Sequence, residues 1–251
     1  MYHFFVDKEQ IDEISKTLMI DGDDYNHIVN VLRMKPGEEI SISTRDGDGK
    51  EYRYGIEEIR DDAVVCVLRF IKEDNVELPS RIYLFQGLPK ADKMELIVQK
   101  AVELGIYEIV PVSMKRCIVK LDDKKAKSKV ARWQGIAEAA AKQSKRSIIP
   151  QVHMPVTYGE AIKLAEDIDV KLVPYELAKD MDETRKLISS IKPGQSVAIF
   201  IGPEGGFDDA EIDKALAAGM NPITMGRRIL RTETAGFTIL AWLGYMLEGL
   251  E

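Results

Sequence analysis

The sequence predicts an α/β protein preceded by a small β-rich domain, and three observations carry that prediction. Residues 38–72, EEISISTRDGDGKEYRYGIEEIRDDAVVCVLRFIK, alternate apolar and polar side chains with turn signals at DGDGK and RDD, the pattern of a β-meander. The texture changes near residue 75, inside the acidic stretch KEDNVELPS. Beyond it, apolar strand-like runs alternate with helix-length segments, which implies an open, mainly parallel sheet covered on both faces. The expected boundaries are 1–72 for a small barrel or sandwich and 73–251 for the α/β domain. A chain of 251 residues is long enough for two domains, each with a sizeable core.

Ahead of the meander, DDYNHIVNVLRMKPGE reads as a short helix with Tyr25, Ile28, Val29 and Leu32 on one face, stopped by Pro36-Gly37. In the second part RIYLFQGL is a strand, KMELIVQKAVELG a helix, EIVPVSM a strand and SKVARWQGIAEAAAKQSKR a helix. DVKLVPYEL and SVAIFIG follow as strands, DDAEIDKALAAG as a helix and NPITMG as a strand. The final apolar stretch, Ala235 to Leu247, is too short to span a bilayer and is periodic, with Ile239, Trp242, Leu243, Met246, Leu247 and Leu250 on one face. It reads as a packing helix.

Hydrophobic residues make up 45% of the chain and charged ones 31%, an ordinary globular balance. The two cysteines, Cys66 and Cys117, lack metal-ligand spacing and suggest reduced thiols in a cytosol. MYHFFVDKEQ has no basic region followed by an apolar core, so no secretory signal is expected. None of the three histidines falls in a motif, and no metal site is expected. The net charge of −7 argues against a polyanionic partner until its distribution is read. Between Lys115 and Arg146 eleven basic residues face three acidic ones, a surplus of eight that leaves an excess of about fifteen negative charges elsewhere. Such a run fits a nucleic-acid surface, and taken alone it fits a solvated helical face equally well.

The stretch IFIGPEGGFDDAEI, residues 199–212, joins a buried strand to a well-specified helix. Asp208 is placed to cap and Glu211 to complete a D-x-x-E capping box. Gly202, Gly205 and Gly206 fall at the carboxyl edge of the sheet, where open α/β folds bind ligands, although a glycine-rich turn without a ligand has the same pattern. Neither GxxxxGK[ST] nor GxGxxG is present, and Glu204, Asp208 and Asp209 would repel a phosphate. A neutral or cationic ligand suits the turn better. Downstream, MGRRILRTETAG places Arg227, Arg228 and Arg231 before a helix that Thr232 is expected to cap, with Glu233 in its first turn. Cations there oppose the helix dipole, so they are not present for helix stability.

IFIGPEGGF followed by MGRRILRTETA, together with PKADKMELIVQKAVELG, RW and QSKRSIIP, resembles the ribosomal RNA small-subunit methyltransferase E family across essentially the whole chain. Two departures are visible: His3 stands where many relatives carry an arginine, and Lys142 and Lys145 stand where the family pattern has Glu and Gly. The resemblance implies S-adenosylmethionine-dependent methylation of uridine N3 in small-subunit (16S) ribosomal RNA by a member of the SPOUT superfamily. It also implies a deep trefoil knot in the C-terminal domain, a PUA-like RNA-binding barrel over 1–72, and a cytoplasmic homodimer acting on ribosomal RNA or the 30S subunit, with no membrane partner. By the same resemblance the cofactor would lie against Val173, Pro174, Ile201, Gly202, Gly205, Met225, Gly226, Ile229, Leu230 and Thr234. RNA would be held by Arg33, Lys90, Lys93, Arg116, Lys142 and Arg146.

For that chemistry, uracil N3 becomes a good nucleophile only as its proton leaves and charge spreads to O2 and O4. Cations aimed at that developing anion are required, and Arg231 and then Arg228 suit the role. Proton acceptance would fall to Glu204, Glu233 or water; a structural ion pair fits the same glutamates. Two other readings remain open: a non-catalytic RNA-binding or ribosome-assembly factor, and a nucleotide-dependent enzyme, for which the phosphate loop is missing.

Overall fold

A computed structural model describes residues 1–72, 76–175 and 180–249. The chain divides into two compact units, Met1–Glu77 with Ala141–Ile149, and Leu78–Ala140 with Pro150–Glu251.

The first unit is built on one six-stranded sheet. Its strands are β1 (His3–Val6), β2 (Ile11–Asp12), β3 (Thr17–Ile20), β4 (Glu39–Thr44), β5 (Glu51–Ile59) and β6 (Val64–Lys72), in the order β1-β4-β5-β6-β3-β2. β1 runs parallel to β4 and the other pairs are antiparallel. The expected meander is therefore β4-β5-β6, with register shifts at Arg53/Tyr54 and Ile56/Glu58 that bend β5. Phe4, Leu18, Ile28, Ile40, Ile42, Tyr54, Ile56 and Val64 form the core. The expected short helix is present as α1 (Gly22–Asn26), followed by a π-helical turn over His27–Val31.

Residues 141–149 complete this unit. Arg146 is 4% exposed and its guanidinium meets the Glu77 carboxylate through both Nε and Nη2. Ser147 donates to the same carboxylate through its backbone N–H and its hydroxyl, at 2.9 and 3.1 Å. Lys145 sits at φ 57°, a left-handed conformation that a glycine adopts without penalty and a lysine does not. At the other end of the segment Lys142 Nζ lies 3.0 Å from Asp24 and 5.9 Å from the centre of the Phe4 ring.

The second unit holds a seven-stranded sheet in which every pairing is parallel. Its strands are β7 (Ile82–Gly87), β8 (Glu108–Ser113), β9 (Gln151–Val152), β10 (Val156–Thr157), β11 (Val170–Pro174), β12 (Val197–Ile201) and β13 (Asn221–Ile223). The order is β10-β8-β7-β12-β11-β13, with β9 also paired to β8. The continuous apolar runs of β7 and β12 are explained by their central place, and Phe85 stacks on Phe200 between them at 4.4 Å. Because all strands run one way, β7, β11, β12 and β13 end on one edge, with Ile201 beside Gln86 and Ile223 beside Pro174.

The helices are α2 (Lys93–Glu103), α3 (Asp123–Ser144), α4 (Tyr158–Leu164), α5 (Met181–Ser190), α6 (Asp209–Ala217) and α7 (Thr232–Leu247). α3 starts five residues before the expected Ser128, so the lysine-rich segment 124–127 is helical rather than looped. α4 and α5 were not expected, although Thr157 and Glu160 form a full capping box and Asp180 caps α5. The strand expected to run to Leu177 ends at Pro174; Glu176 and Leu177 lie outside the described residues. On α7 the buried stripe is Gly236, Ile239, Leu240, Leu243 and Leu247. Trp242 and Met246, expected on that face, are half-buried, Tyr245 is 86% exposed, and Leu250 lies outside the described residues.

Candidate active site

The glycine turn after β12 is shaped by backbone crowding. A Cβ on Gly202 would stand 3.1 Å from the Gly206 carbonyl carbon and 3.3 Å from Phe207, so the turn folds back on itself only without a side chain there. Gly206 has φ 67°, the left-handed region. Gly87, at the end of β7, is tighter still: its Cβ would meet Pro203 N at 2.7 Å and Gly202 C at 3.0 Å. Gly205 does not need a special φ; its Cβ position faces the Arg116 side chain at 3.2 Å. The turn then enters α6 through the expected capping box of Asp208 and Glu211.

Five further contacts fix the turn and its entry into α6. The Thr232 hydroxyl donates to Gly202 O at 2.6 Å and accepts from Gln86 Nε2 at 2.9 Å. Thr232 therefore does not cap α7; Arg231 occupies the N-cap without a side-chain bond, and the threonine oxygen serves the turn. Glu204 accepts from the Lys90 backbone N–H at 3.1 Å and pairs with Lys93 Nζ at 3.1 Å. Burial pushes the Glu204 carboxyl up, but hydrogen bonds from backbone N–H groups and Lys93 outweigh it and hold it below the usual carboxylate range. Arg116 donates to Gly205 O at 3.1 Å, and Lys115 binds Asp208 at 3.0 Å.

This turn forms one wall of a cavity of about 680 Å³, a size suited to a compact cofactor. The segment from Ile223 to Thr232 forms the facing wall, with Pro174 and Tyr175 beside it. Of the expected cofactor residues, Pro174, Ile201, Gly202, Gly205, Met225, Gly226, Ile229 and Leu230 line the cavity. Val173 is fully buried and Thr234 lies one turn into α7, and neither lines it. Arg228, Arg231 and Glu204 line it as well. Among the described residues Arg227, Arg228 and Arg231 have no ion-pair partner, whereas Glu204 is paired with Lys93. Apolar side chains of Ile201, Ile223 and Leu230 beside exposed backbone at the glycines fit a flat heteroaromatic ring with polar edges. The donor set therefore fits S-adenosylmethionine.

Residues 76–244 match the family described as RNA methyltransferase domain, and residues 20–69 the RNA methyltransferase PUA domain. The ribosomal RNA small subunit methyltransferase E of Bacillus subtilis (strain 168) is 38% identical over 253 residues, covering 99% of this chain and 98% of that one. This chain belongs to the ribosomal RNA small subunit methyltransferase E family. The solved methyltransferase E of Neisseria gonorrhoeae, bound to S-adenosyl methionine, is 30% identical with a TM-score of 0.83 over 98% of both chains. A methyltransferase from Legionella pneumophila in complex with bound SAM is 32% identical with a TM-score of 0.84 over 97% of both.

In this methyltransferase E family member the expected RNA residues separate into distinct environments. Arg33 is exposed at φ 54°, and the Lys90 side chain is exposed while its backbone serves Glu204. Arg116 lines the cavity and holds the turn, and Lys142 is paired with Asp24. Arg146 differs from the expectation of an exposed contact: it is 4% exposed and its guanidinium is paired with Glu77. Gln86, Gly87 and Thr232 were missed. A glycine closing a strand was the available signal for Gly87; nothing local marks Gln86 or Thr232.

Proposed function

We propose that this chain methylates uridine N3 of small-subunit ribosomal RNA, with S-adenosylmethionine in the cavity between the glycine turn and the RRILR segment. The observation that carries the reading is that two arginines without an ion-pair partner among the described residues, Arg228 and Arg231, line the same cavity as the glycine turn. When bound, S-adenosylmethionine supplies an electrophilic methyl group on a cationic sulfur. The chain's own part is to align N3 with that group and to stabilise the charge that spreads to O2 and O4 as the N3 proton leaves. Arg231, the N-cap residue of α7, takes that role, and Arg228, which lines the same cavity, assists it. Glu204, which lines the cavity and is held ionised by its hydrogen bonds, accepts the N3 proton, directly or by way of a water.

Residues 1–72 act in this proposal as the PUA-like RNA-binding domain and 73–251 as a SPOUT domain with a C-terminal trefoil knot. The half-buried Trp242 and Met246 and the exposed Tyr245 support a homodimer packed through α7. Among the described residues no helix is long and apolar enough to cross a membrane. The enzyme works in the cytoplasm, where ribosomes are assembled.

The test is methyl transfer from labelled S-adenosylmethionine to purified 30S subunits and to free 16S RNA, followed by mass spectrometry of the nucleosides. N3-methyluridine is the expected product. Binding of RNA without transfer would establish the non-catalytic factor instead.

A further inference from the structure

Lys93 is an odd residue for the first turn of a helix, where a cation opposes the dipole of α2. Its ammonium lies 3.1 Å from Glu204 Oε1 and 3.5 Å from Glu233 Oε2. The contact to Glu233 is electrostatic: Oε2 is buried and has no hydrogen-bond partner among the described residues, so Lys93 is the charge that compensates it. Hydrogen bonding to Glu204 raises the lysine further above its usual range, so it stays charged. Glu204 belongs to the glycine turn and Glu233 to the first turn of α7, the helix that follows the RRILR wall. One ammonium thus ties the glycine turn to the helix that follows the facing wall.

We propose that Lys93 is a positioning residue that pins the glycine turn to α7 and so holds the cofactor cavity open at its working width, rather than a ligand for RNA phosphate. The proposal rests on the reading of this cavity as the S-adenosylmethionine site. A lysine already shared by two carboxylates has little charge to offer a phosphate. Removing it leaves two carboxylates, each previously within 3.5 Å of the same cation, facing each other without compensation. The turn then loses the tie that Thr232 cannot replace, because Thr232 holds Gly202 and not Glu204.

The test compares Lys93→Met and Lys93→Arg in the full chain with two readouts. Amide hydrogen exchange without cofactor is expected to speed up at residues 202–206 and 232–235 in Lys93→Met and to return close to parental in Lys93→Arg. S-Adenosylmethionine affinity by calorimetry is expected to weaken about tenfold in Lys93→Met, as for a turn that keeps its binding geometry roughly a tenth of the time. The salt dependence of RNA binding should stay parental. Parental exchange in Lys93→Met overturns the inference whatever the cofactor does. A flattened salt slope with unchanged cofactor affinity overturns it in favour of a phosphate ligand. Failure of the unmodified protein to bind S-adenosylmethionine would sink the functional reading, while the exchange data would still judge the tie.

Discussion

Gly87→Ala tests how the cofactor turn is built. The added methyl would stand 2.7 Å from Pro203 N, 2.8 Å from Pro203 Cδ and 3.0 Å from Gly202 C. Two of those atoms are backbone and the third belongs to a proline ring, so no flexible side chain can swing aside. Overpacking of this kind typically costs about 1–3 kcal/mol. For a chain of this size each kcal/mol lowers Tm by roughly 2–4 °C, so a fall of about 2–12 °C is expected by scanning calorimetry. Gly135 in α3 supplies the control of opposite sign. Its Cβ position is open and its φ is ordinary, so Gly135→Ala should raise stability by up to ~1 kcal/mol. S-Adenosylmethionine affinity should fall in Gly87→Ala only, since the turn must shift away from β7 to admit the methyl. A Gly87→Ala protein with the parental Tm and parental cofactor affinity would refute the close approach of strand and turn.

Arg231→Ala should leave cofactor affinity intact and slow single-turnover methyl transfer about a hundredfold, the loss of roughly 3 kcal/mol from one cation on the transition-state charge; parental speed removes Arg231 from the catalytic list. Lys145→Gly should stabilise the protein by about 1 kcal/mol in urea titration, because it relieves a left-handed lysine where relatives are expected to carry glycine; a destabilised variant counts against that backbone. His3 is buried, with Nδ1 2.8 Å from the Ser41 hydroxyl and no hydrogen-bond partner for Nε2 among the described residues, and burial pushes its pKa down to about 4, against an opposing pull from Glu51. The unfolded chain thus binds more protons than the folded one between pH 6.5 and about 4, and stability falls by up to about 3 kcal/mol as pH drops through that window. His3→Gln should flatten that slope, and an unchanged slope removes His3 as its cause.

How much could be read without coordinates depended on the range of the interaction. The capping box of α6 was legible because Asp208 and Glu211 are three residues apart. Thr232 matched the same local rule and failed it, since its hydroxyl is claimed by a carbonyl thirty residues away. The basic run from Lys115 to Arg146 was visible as charge, yet Glu77 and Asp24, which neutralise Arg146 and Lys142, lie 69 and 118 residues distant. The cavity's lining was legible through GPEGG and RRILR. Its tension members, Gln86, Gly87, Lys93 and Thr232, were hidden because they matter only through partners brought near by the parallel sheet.

The bond between Thr232 and Gly202, relayed to Gln86, also orders events in time. Loops that close over 30 and 146 residues are slow to form, and neither can close until Thr232 has left the translating ribosome. Until then the glycine turn lacks one of its clamps, and the facing wall from Ile223 onward has no anchor at its far end. A nascent or prematurely ended chain that stops short of Thr232 carries a complete N-terminal sheet and all of β7 to β13, yet the two walls of its cavity are not tied together. Competence to hold the cofactor waits on a residue that follows every strand of both sheets.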